Sequence, residues 1–248
     1  MTWEEFREAR ERSKVVIVPV GSTEQHGPHL PIGTDSMVAI TLAEDAARRS
    51  GALIAPPLWY GWSPHHMALD GTITIRAEVL IELLYDVTEC LARHGLKKFV
   101  YLNGHRLVNV VWMQIAAERA QRLLGVETVI FDPAYMSKEI VDGLEFGPVG
   151  HADAVESSHM YARYPSLCKP DRARDFVPPQ AELYSVDPHY AFDTLCYVPS
   201  TAAKLAEVAP VSKGVSGRPE LASAEKGRIY HEHLVERLVT VIERMQQG

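Results

Sequence analysis

Four polar residues able to bind a metal follow a short apolar segment near the start of the chain. Val15 to Gly21 is β-branched and almost wholly apolar, the composition of a strand covered on both faces. After it come Glu24, His26, His29 and Asp35. Carboxylates and imidazoles are ligands for zinc, manganese or iron, and open α/β sheets bind ligands at the carboxyl ends of their strands. This stretch therefore predicts a metal site; solvated loop charge is the simpler alternative.

Two more polar clusters occupy comparable positions. His105 follows the predicted strand from Phe99 to Leu102, and His151 and Glu156 open a predicted helix that ends at Arg163. Taken singly, such a histidine is more often just hydrogen-bonded, and a glutamate at a helix start suits the macrodipole. Because each cluster lies at a strand end or helix start, we expect all three to converge on one site.

Segments whose apolar residues have the spacing of a helix alternate along the chain with segments typical of strands. These helices and strands must position the three clusters. A capping box formed by Thr2 and Glu5 predicts a first short helix. Leu107, Val111 and Ile115 share the predicted core face of a later helix. Helices are predicted at 36–50, 76–94, 107–124 and 223–245, and strands at 52–58, 99–102 and 127–131. The alternation predicts a single α/β domain with a mainly parallel sheet, whereas 165–200 gives no clear assignment.

Composition and charge exclude several classes of function. The chain has 248 residues, 46% of them hydrophobic, and a net charge of -7, which disfavours binding to nucleic acid or to an anionic membrane surface. No segment offers the ~20 apolar residues of a membrane helix or the core of a signal peptide. Cys90, Cys168 and Cys196 are scattered and form no CxxC motif. We therefore expect a cytoplasmic protein acting on a small molecule.

Five motifs in this order are similar to those of the creatininase family, also called creatinine amidohydrolases. The similarity runs from about residue 2 to residue 242, and the motifs are GSTEQHGPHLPIGTD at 21–35, YGWSPHHMALDGT at 60–72, NGH at 103–105, HADAVESS at 151–158 and GVSGRPELASAEKGR at 214–228. The resemblance implies a three-layer α/β sandwich around a mainly parallel sheet. It also implies two divalent metal ions, zinc in the first place with manganese or iron as alternatives, and a homo-oligomer, often a hexamer.

The resemblance also implies roles for individual residues. It makes the metal ligands Glu24, His26, Asp35, His105 and Glu156, with Asp35 bridging the two ions. His151 matches a catalytic or substrate-contacting histidine, and His66, which we also expect to act in catalysis, matches a histidine in the 60–72 motif. For His29 we expect a hydrogen bond to a metal ligand or a contact with the substrate.

The chain departs from creatininase itself near two of these positions. Leu107 and Gly150 stand where creatininase has glutamates, which argues against creatinine as the substrate. Arg106 follows the ligand histidine, in NGHRLVN, where many members have NGHGGN. Its guanidinium suits a carboxylate or two hydroxyls, so we expect Arg106 to bind an acidic or polyhydroxylated substrate. The alternative is an ion pair with Glu118 or Asp153.

The sequence leaves three functional readings open. The first is hydrolysis of a non-peptide C–N bond, possibly in a cyclic amide, by metal-activated hydroxide, with His151 carrying a proton to the leaving nitrogen. The second keeps the metals but opens or isomerises a cyclic ketone or polyol, as a hydrolase of an oxidised inositol ring does. The third is a non-catalytic binding protein, which is disfavoured because none of the five ligand positions is lost.

Overall fold

A four-stranded parallel sheet forms the centre of the computed structural model, which describes residues 1–179 and 200–247. Its strands, in the spatial order β2-β1-β3-β4, are β1 Val15–Val20, β2 Leu53–Ile54, β3 Lys98–Asn103 and β4 Glu127–Phe131. β1 and β3 pair along their whole length, from Val15 opposite Lys98 to Val20 opposite Asn103. The carboxyl ends of these two central strands therefore lie side by side.

Helices cover both faces of the sheet. They are α1 Trp3–Arg12, α2 Thr34–Ser50, α3 Ala77–Arg93, α4 Val110–Leu124, α5 Pro133–Met136, α6 Lys138–Val141, α7 Ala154–Arg163, α8 Ala202–Ser212 and α9 Ala224–Gln247. Ile17 and Val100 pack with α2, α7 and α9, whereas the alternate residues Val18 and Tyr101 pack with α3 and α4. Strands buried on both faces explain the continuous apolar runs of the sequence. The predicted three-layer α/β sandwich is confirmed.

The prediction for α4 was wrong about which face is buried. Trp112, Met113 and Ala116 enter the core, while Val111 and Ile115 are exposed. Leu107 is not helical, because its φ is 62° and α4 begins only at Val110. The error arose because this helix carries apolar residues on both faces, so that period alone does not choose between them. By contrast, the capping box of Thr2 and Glu5 is present at α1 as predicted.

Several predicted boundaries shift in the structure. Only Leu53–Ile54 of the predicted strand 52–58 is regular, because Pro56 and Pro57 have no N–H to donate. The segment still follows β1, since Leu58 N donates to the Pro19 carbonyl at 2.9 Å. A 3-10 helix, Pro64–Ala68, lies in the 60–72 motif. Within 165–200, the described residues up to 179 include two 3-10 turns, and the remainder of that unassigned stretch up to residue 199 lies outside the described residues.

The first turn of α2 reaches the ends of both central strands because glycines stand there. A Cβ at Gly21 would collide with Ser36, and a Cβ at Gly104 would collide with the Asp35 carbonyl. Asp35 consequently lies in the first turn of α2 and not in the preceding loop as expected. Within 1–179 and 200–247, no helix has the length and apolar character needed to span a membrane.

Candidate metal centre

The five predicted ligands come together where the two central strands end. β1 leads through α2 to one edge of the sheet, and β3 leads through α4 to the other. Open α/β sheets bind ligands at such a point, where successive connections diverge. Glu24 and His26 follow β1, His105 follows β3, and Asp35 and Glu156 lie in the first turns of α2 and α7. All five are buried.

Their ligand atoms form two groups that share Asp35. In the first, His105 Nε2 lies 3.3 Å from Glu24 Oε2, and His105 Nδ1 lies 3.2 Å from Asp35 Oδ2. In the second, His26 Nε2 lies 3.1 Å from Asp35 Oδ1 and 3.8 Å from Glu156 Oε2. Within each group the candidate ligand atoms lie within 4.8 Å of one another. One oxygen of Asp35 faces each group, as in a carboxylate that bridges two ions.

The chemistry of this cluster fits divalent metal ions. Glu24 Oε1, His26 Nε2 and Asp35 Oδ2 are buried without a hydrogen-bond partner among the described residues. A buried polar atom left unpaired is costly, and buried carboxylates are normally paired or bound to a metal. Oxygen and imidazole donors suit zinc, manganese and iron alike. The orphaned atoms thus mark a place where cations are expected to bind.

The carboxylates of the cluster raise the pKa values of its imidazoles, which indicates an excess of negative charge. Burial raises the pKa of Glu24 to about 7. Burial also lowers the pKa of His26, but Asp35 more than offsets this effect and the pKa rises to about 10. The pKa of His105 rises to about 9 because Glu24 and Asp35 outweigh its burial. Protons therefore collect on these imidazoles, and a divalent ion would displace them.

His151 faces the cluster with an unprotonated ring nitrogen. Its Nε2 donates to the Gln25 carbonyl at 2.6 Å, so Nδ1 carries the lone pair, and Nδ1 lies 3.5 Å from Glu24 Oε1. Burial, reinforced by His26, lowers the pKa of His151 well below its usual value. Glu24, His26 and His151 also form a third group of closely spaced ligand atoms. The geometry therefore allows His151 to carry protons or to bind a metal.

His66 is held by Gln25, which sequence reasoning did not single out. Gln25 Oε1 accepts from the Gly27 N–H, so its amide nitrogen donates to the Gly214 carbonyl at 3.0 Å and to His66 Nδ1 at 2.8 Å. The proton of neutral His66 is then on Nε2, 3.3 Å from Glu24 Oε1. The sequence did offer one signal that Gln25 belongs to the site, because it lies between the predicted ligands Glu24 and His26 in the first motif.

His29 does not make the expected hydrogen bond to a metal ligand. Its Nε2 pairs with Ser157 Oγ at 2.8 Å, and its Nδ1 has no partner among the described residues. The side chain is buried, and burial lowers its pKa to about 4. His29 is therefore a neutral imidazole. It contacts Ser157, the residue that follows Glu156 in the chain.

Arg106 contacts acidic side chains of the protein. Its Nη2 lies 2.9 Å from Asp153 Oδ2 and 2.8 Å from Glu156 Oε1. The ion pair with Asp153, the alternative weighed above, is thus present, whereas Glu118 pairs with Arg122 instead. Only 8% of the Arg106 side chain is exposed. A contact between Arg106 and substrate stays a prediction.

Two residues missed by sequence reasoning shape the loop that carries His105. Asn103 accepts from the His105 N–H at 3.0 Å and donates to Asp132 Oδ2 at 2.8 Å. Asp132 Oδ2 also accepts from the Leu107 N–H at 2.8 Å. These bonds fix the backbone on both sides of His105. Asn103 was visible in the NGH motif, but nothing in the sequence pointed to Asp132.

The chain is similar in sequence to known proteins along most of its length. Residues 1–242 match the family described as Creatininase: Creatinine amidohydrolase. The chain belongs to the creatininase family. It is 31% identical to a 3-dehydro-scyllo-inosose hydrolase of Thermotoga maritima, over 100% of this chain and 84% of that one. It is 30% identical to a creatinine amidohydrolase of Pseudomonas putida, over 76% and 80%.

A solved structure of a creatininase family member has the same fold. A mutant creatininase of the Zn-Zn type gives a TM-score of 0.79 at 26% identity, covering 100% of this chain and 97% of that one. Members of the family are metal-dependent amidohydrolases, and the relatives named above are hydrolases. The protein is therefore an enzyme of this family, and the binding-protein reading is set aside.

Proposed function

We propose that the protein is a divalent-metal-dependent hydrolase that cleaves a non-peptide C–N bond, such as a cyclic amide, in a small polar or acidic metabolite. The observation that carries this proposal is the sharing of Asp35 between two groups of ligand atoms. Three buried atoms of the same cluster have no hydrogen-bond partner among the described residues. This arrangement supports a site for two cations.

In this proposal the ions are held by Glu24, His26, Asp35, His105 and Glu156. Zinc is the first expectation, supported by the Zn-Zn type of the creatininase relative, with manganese or iron as alternatives. Such a pair supplies hydroxide at neutral pH and polarises a carbonyl oxygen.

In this proposal, histidine side chains carry out the proton transfers of the reaction. His151 accepts a proton at Nδ1, the nitrogen that faces the cluster, and passes it to the leaving nitrogen. Because burial lowers the pKa of His151, its protonated form gives up the proton readily. Gln25 orients His66 toward the carboxylate of Glu24, and we assign His66 a supporting catalytic role. His29 and Arg106 remain the proposed substrate contacts.

Metal titration and a substrate panel test this function together. Metal-free protein should take up two zinc ions per chain and regain turnover, and a chelator should remove both properties. Cyclic and linear amides are then incubated with the loaded enzyme, and the products are weighed by mass spectrometry. C–N hydrolysis is supported when a linear amide splits into an acid and an amine, or when a cyclic amide gains one water in a single product that carries a new amine and a new carboxylate. Full turnover by protein that binds no metal would exclude the proposal.

A second candidate is the opening of an oxidised cyclic polyol. It is favoured by the Thermotoga maritima relative, which the chain matches along its whole length. Hydrolysis of such a ring ketone would break the C–C bond beside the carbonyl, where a second carbonyl stabilises the departing carbon until it takes up a proton, and would leave a carboxylate at the other end. In the mass-spectrometric panel it would appear as gain of one water by a cyclic ketone that contains no nitrogen, while the cyclic and linear amides remain unchanged.

We also propose that the protein forms a homo-oligomer through the outer surface of α3 and α4. These packed helices expose Val79, Leu83, Val111 and Ile115. Exposed apolar patches of this kind mark association surfaces. Light scattering should give a mass above 27.6 kDa, and Ile115→Lys should lower it. The matched variant Val211→Lys, on α8, should leave the mass unchanged.

A single domain and a cytoplasmic location remain predictions from the sequence.

A further inference from the structure

Gln25 forms hydrogen bonds to both proposed catalytic histidines. Its side-chain oxygen accepts from the Gly27 N–H at 3.0 Å, and its side-chain nitrogen donates to the Gly214 carbonyl at 3.0 Å. A backbone N–H can only donate and a carbonyl can only accept, so these two groups fix the orientation of the Gln25 amide. The same nitrogen lies 2.8 Å from His66 Nδ1, which must therefore accept.

The backbone of Gln25 makes the opposite kind of hydrogen bond to His151. The Gln25 carbonyl accepts from His151 Nε2 at 2.6 Å, so the bare nitrogen of that neutral ring is Nδ1. The two rings are neighbours, with centroids 4.1 Å apart. His151 Nδ1 lies 3.5 Å from Glu24 Oε1, and His66 Nε2 lies 3.3 Å from the same oxygen. His66 therefore presents an N–H, and His151 a lone pair, to the same point of the site.

The surroundings of Gln25 hold it in this arrangement. Gln25 is buried, and a Cβ at Gly214 would collide with its side-chain amide. Gly214 has a φ of 83° and Gly27 a φ of 61°, in the left-handed region that glycine adopts without strain. The Thr72 hydroxyl accepts from the Gln25 N–H at 3.0 Å and donates to the His66 carbonyl at 3.0 Å. Gln25 and His66 are thus joined through their backbones as well as through their side chains.

We propose that Gln25 is a positioning residue that gives the two histidines different roles. Because the Gln25 amide occupies the lone pair of His66, the free end of His66 is a hydrogen-bond donor to the substrate. Because the Gln25 carbonyl occupies the N–H of His151, the free end of His151 is the proton acceptor. The inference rests on the proposed hydrolysis and adds to it the residue that separates the roles of its two histidines.

Nitrogen NMR of the histidine rings tests the inference without using activity. The spectrum of a neutral imidazole shows which nitrogen carries the proton, and His66→Gln and His151→Gln identify the two rings. In wild type both rings should carry the proton on Nε2. In Gln25→Glu a carboxylate oxygen replaces the amide nitrogen, so the proton of His66 should move from Nε2 to Nδ1. His151 should keep its proton on Nε2, because its partner is a backbone carbonyl.

Steady-state kinetics measure the consequence for catalysis. Gln25→Glu should lower kcat on the order of ten- to a hundredfold, the effect of losing one hydrogen bond to a charged group. KM should stay within about threefold of wild type, because the donor acts mainly on charge that develops during the reaction. Gln121→Glu, the same exchange at an exposed position of α4, should leave kcat unchanged.

Gly214→Ala displaces the Gln25 amide without changing Gln25 or either histidine. It should lower kcat in the same direction as Gln25→Glu does. Gly51→Ala is the matched control, because Gly51 has a φ of 75° and its added Cβ would meet nothing within 4 Å. The control thus carries similar backbone strain without the collision. Melting temperatures of both variants separate the effect on kcat from loss of fold.

The results separate the inference from the function on which it rests. If His66 keeps its proton on Nε2 in Gln25→Glu, or if both rings change together, the inference is overturned and Gln25 is part of the scaffold. A shifted His66 proton with unchanged kcat would remove His66 as a donor in the reaction. If wild type turns over no amide, the proposed hydrolysis fails and the two catalytic roles fail with it, whereas the spectra still decide whether Gln25 sets the proton of His66.

Discussion

Asp35 is the residue on which the whole site depends, because its two oxygens face different histidines, at 3.1 Å from His26 and 3.2 Å from His105. Asp35→Ala should therefore lose both ions and all turnover, whereas Glu156→Ala should lose turnover while keeping one ion. Elemental analysis after gel filtration measures this. Asp70→Asn, an exposed acid of the neighbouring loop, should keep both ions. Retention of two ions by Asp35→Ala would remove it as the bridge.

A variant of His151 distinguishes the role of metal ligand from that of proton carrier. We expect His151→Ala to keep two ions and to lose at least about a hundredfold in kcat, the lower range for general acid–base catalysis. Metal content and turnover are measured on one preparation, with His94→Ala, an exposed histidine, as the control. A fall in metal content would instead make His151 a ligand, consistent with its grouping with Glu24 and His26. Turnover that survives across the pH range would shift the proton transfer to His66.

At the scale of elements, the site depends on how closely α2 approaches the ends of β1 and β3. Gly104→Ala would place a methyl group against the Asp35 backbone carbonyl. The helix or the strand end must then move, so we expect a loss of about 1–3 kcal/mol in the free energy of unfolding, together with weaker zinc binding. Gly143→Ala is the control, because its Cβ would only reach ordinary contact distance from the Ile140 carbonyl. Denaturant unfolding and zinc titration measure the two effects, and equal behaviour of the two variants would contradict the packing argument.

At the scale of the whole molecule, a buried hydrogen-bonded chain joins three helices of one layer. His159 on α7 pairs with His231 on α9 at 2.8 Å, and His231 pairs with Asp45 on α2 at 2.8 Å. Asp45 accepts from His231 Nε2, so His231 Nδ1 accepts from His159, and both imidazoles are neutral. Burial lowers the pKa of His159 well below its usual value and lowers that of His231, although the hydrogen bond to Asp45 partly offsets the second shift.

These two histidines should make folding stability depend on pH. The unfolded chain binds protons near pH ~6.5, while the folded protein takes them up only at lower pH, so stability falls as pH drops below ~6.5. Each histidine contributes at most ~1.4 kcal/mol per pH unit. His159→Gln should flatten the dependence between pH 5 and 7 in denaturant unfolding of metal-free protein. Parallel curves for wild type and variant would show that His159 does not titrate on unfolding.

The sequence by itself determined the sheet, the strand-end location of the site and which candidate metal ligands cluster there. Val15–Val20 and the motifs after β1 and β3 are short-range signals, because strand period and strand-ending glycines act over a few residues. Glu24, His26 and His105 could therefore be placed at a common edge before any coordinates were known. Parallel strands bring their carboxyl ends together whatever their separation in the chain.

Only the tertiary structure decided how these side chains face one another. Arg106 meets Asp153 and Glu156 across 47 and 50 residues, and His151 meets the Gln25 carbonyl across 126. Contacts at such distances depend on how layers pack, and packing also selected which apolar face of α4 is buried. A local pattern carries no record of these choices, because the same residue can be satisfied by a substrate, by solvent or by a carboxylate that the fold brings beside it.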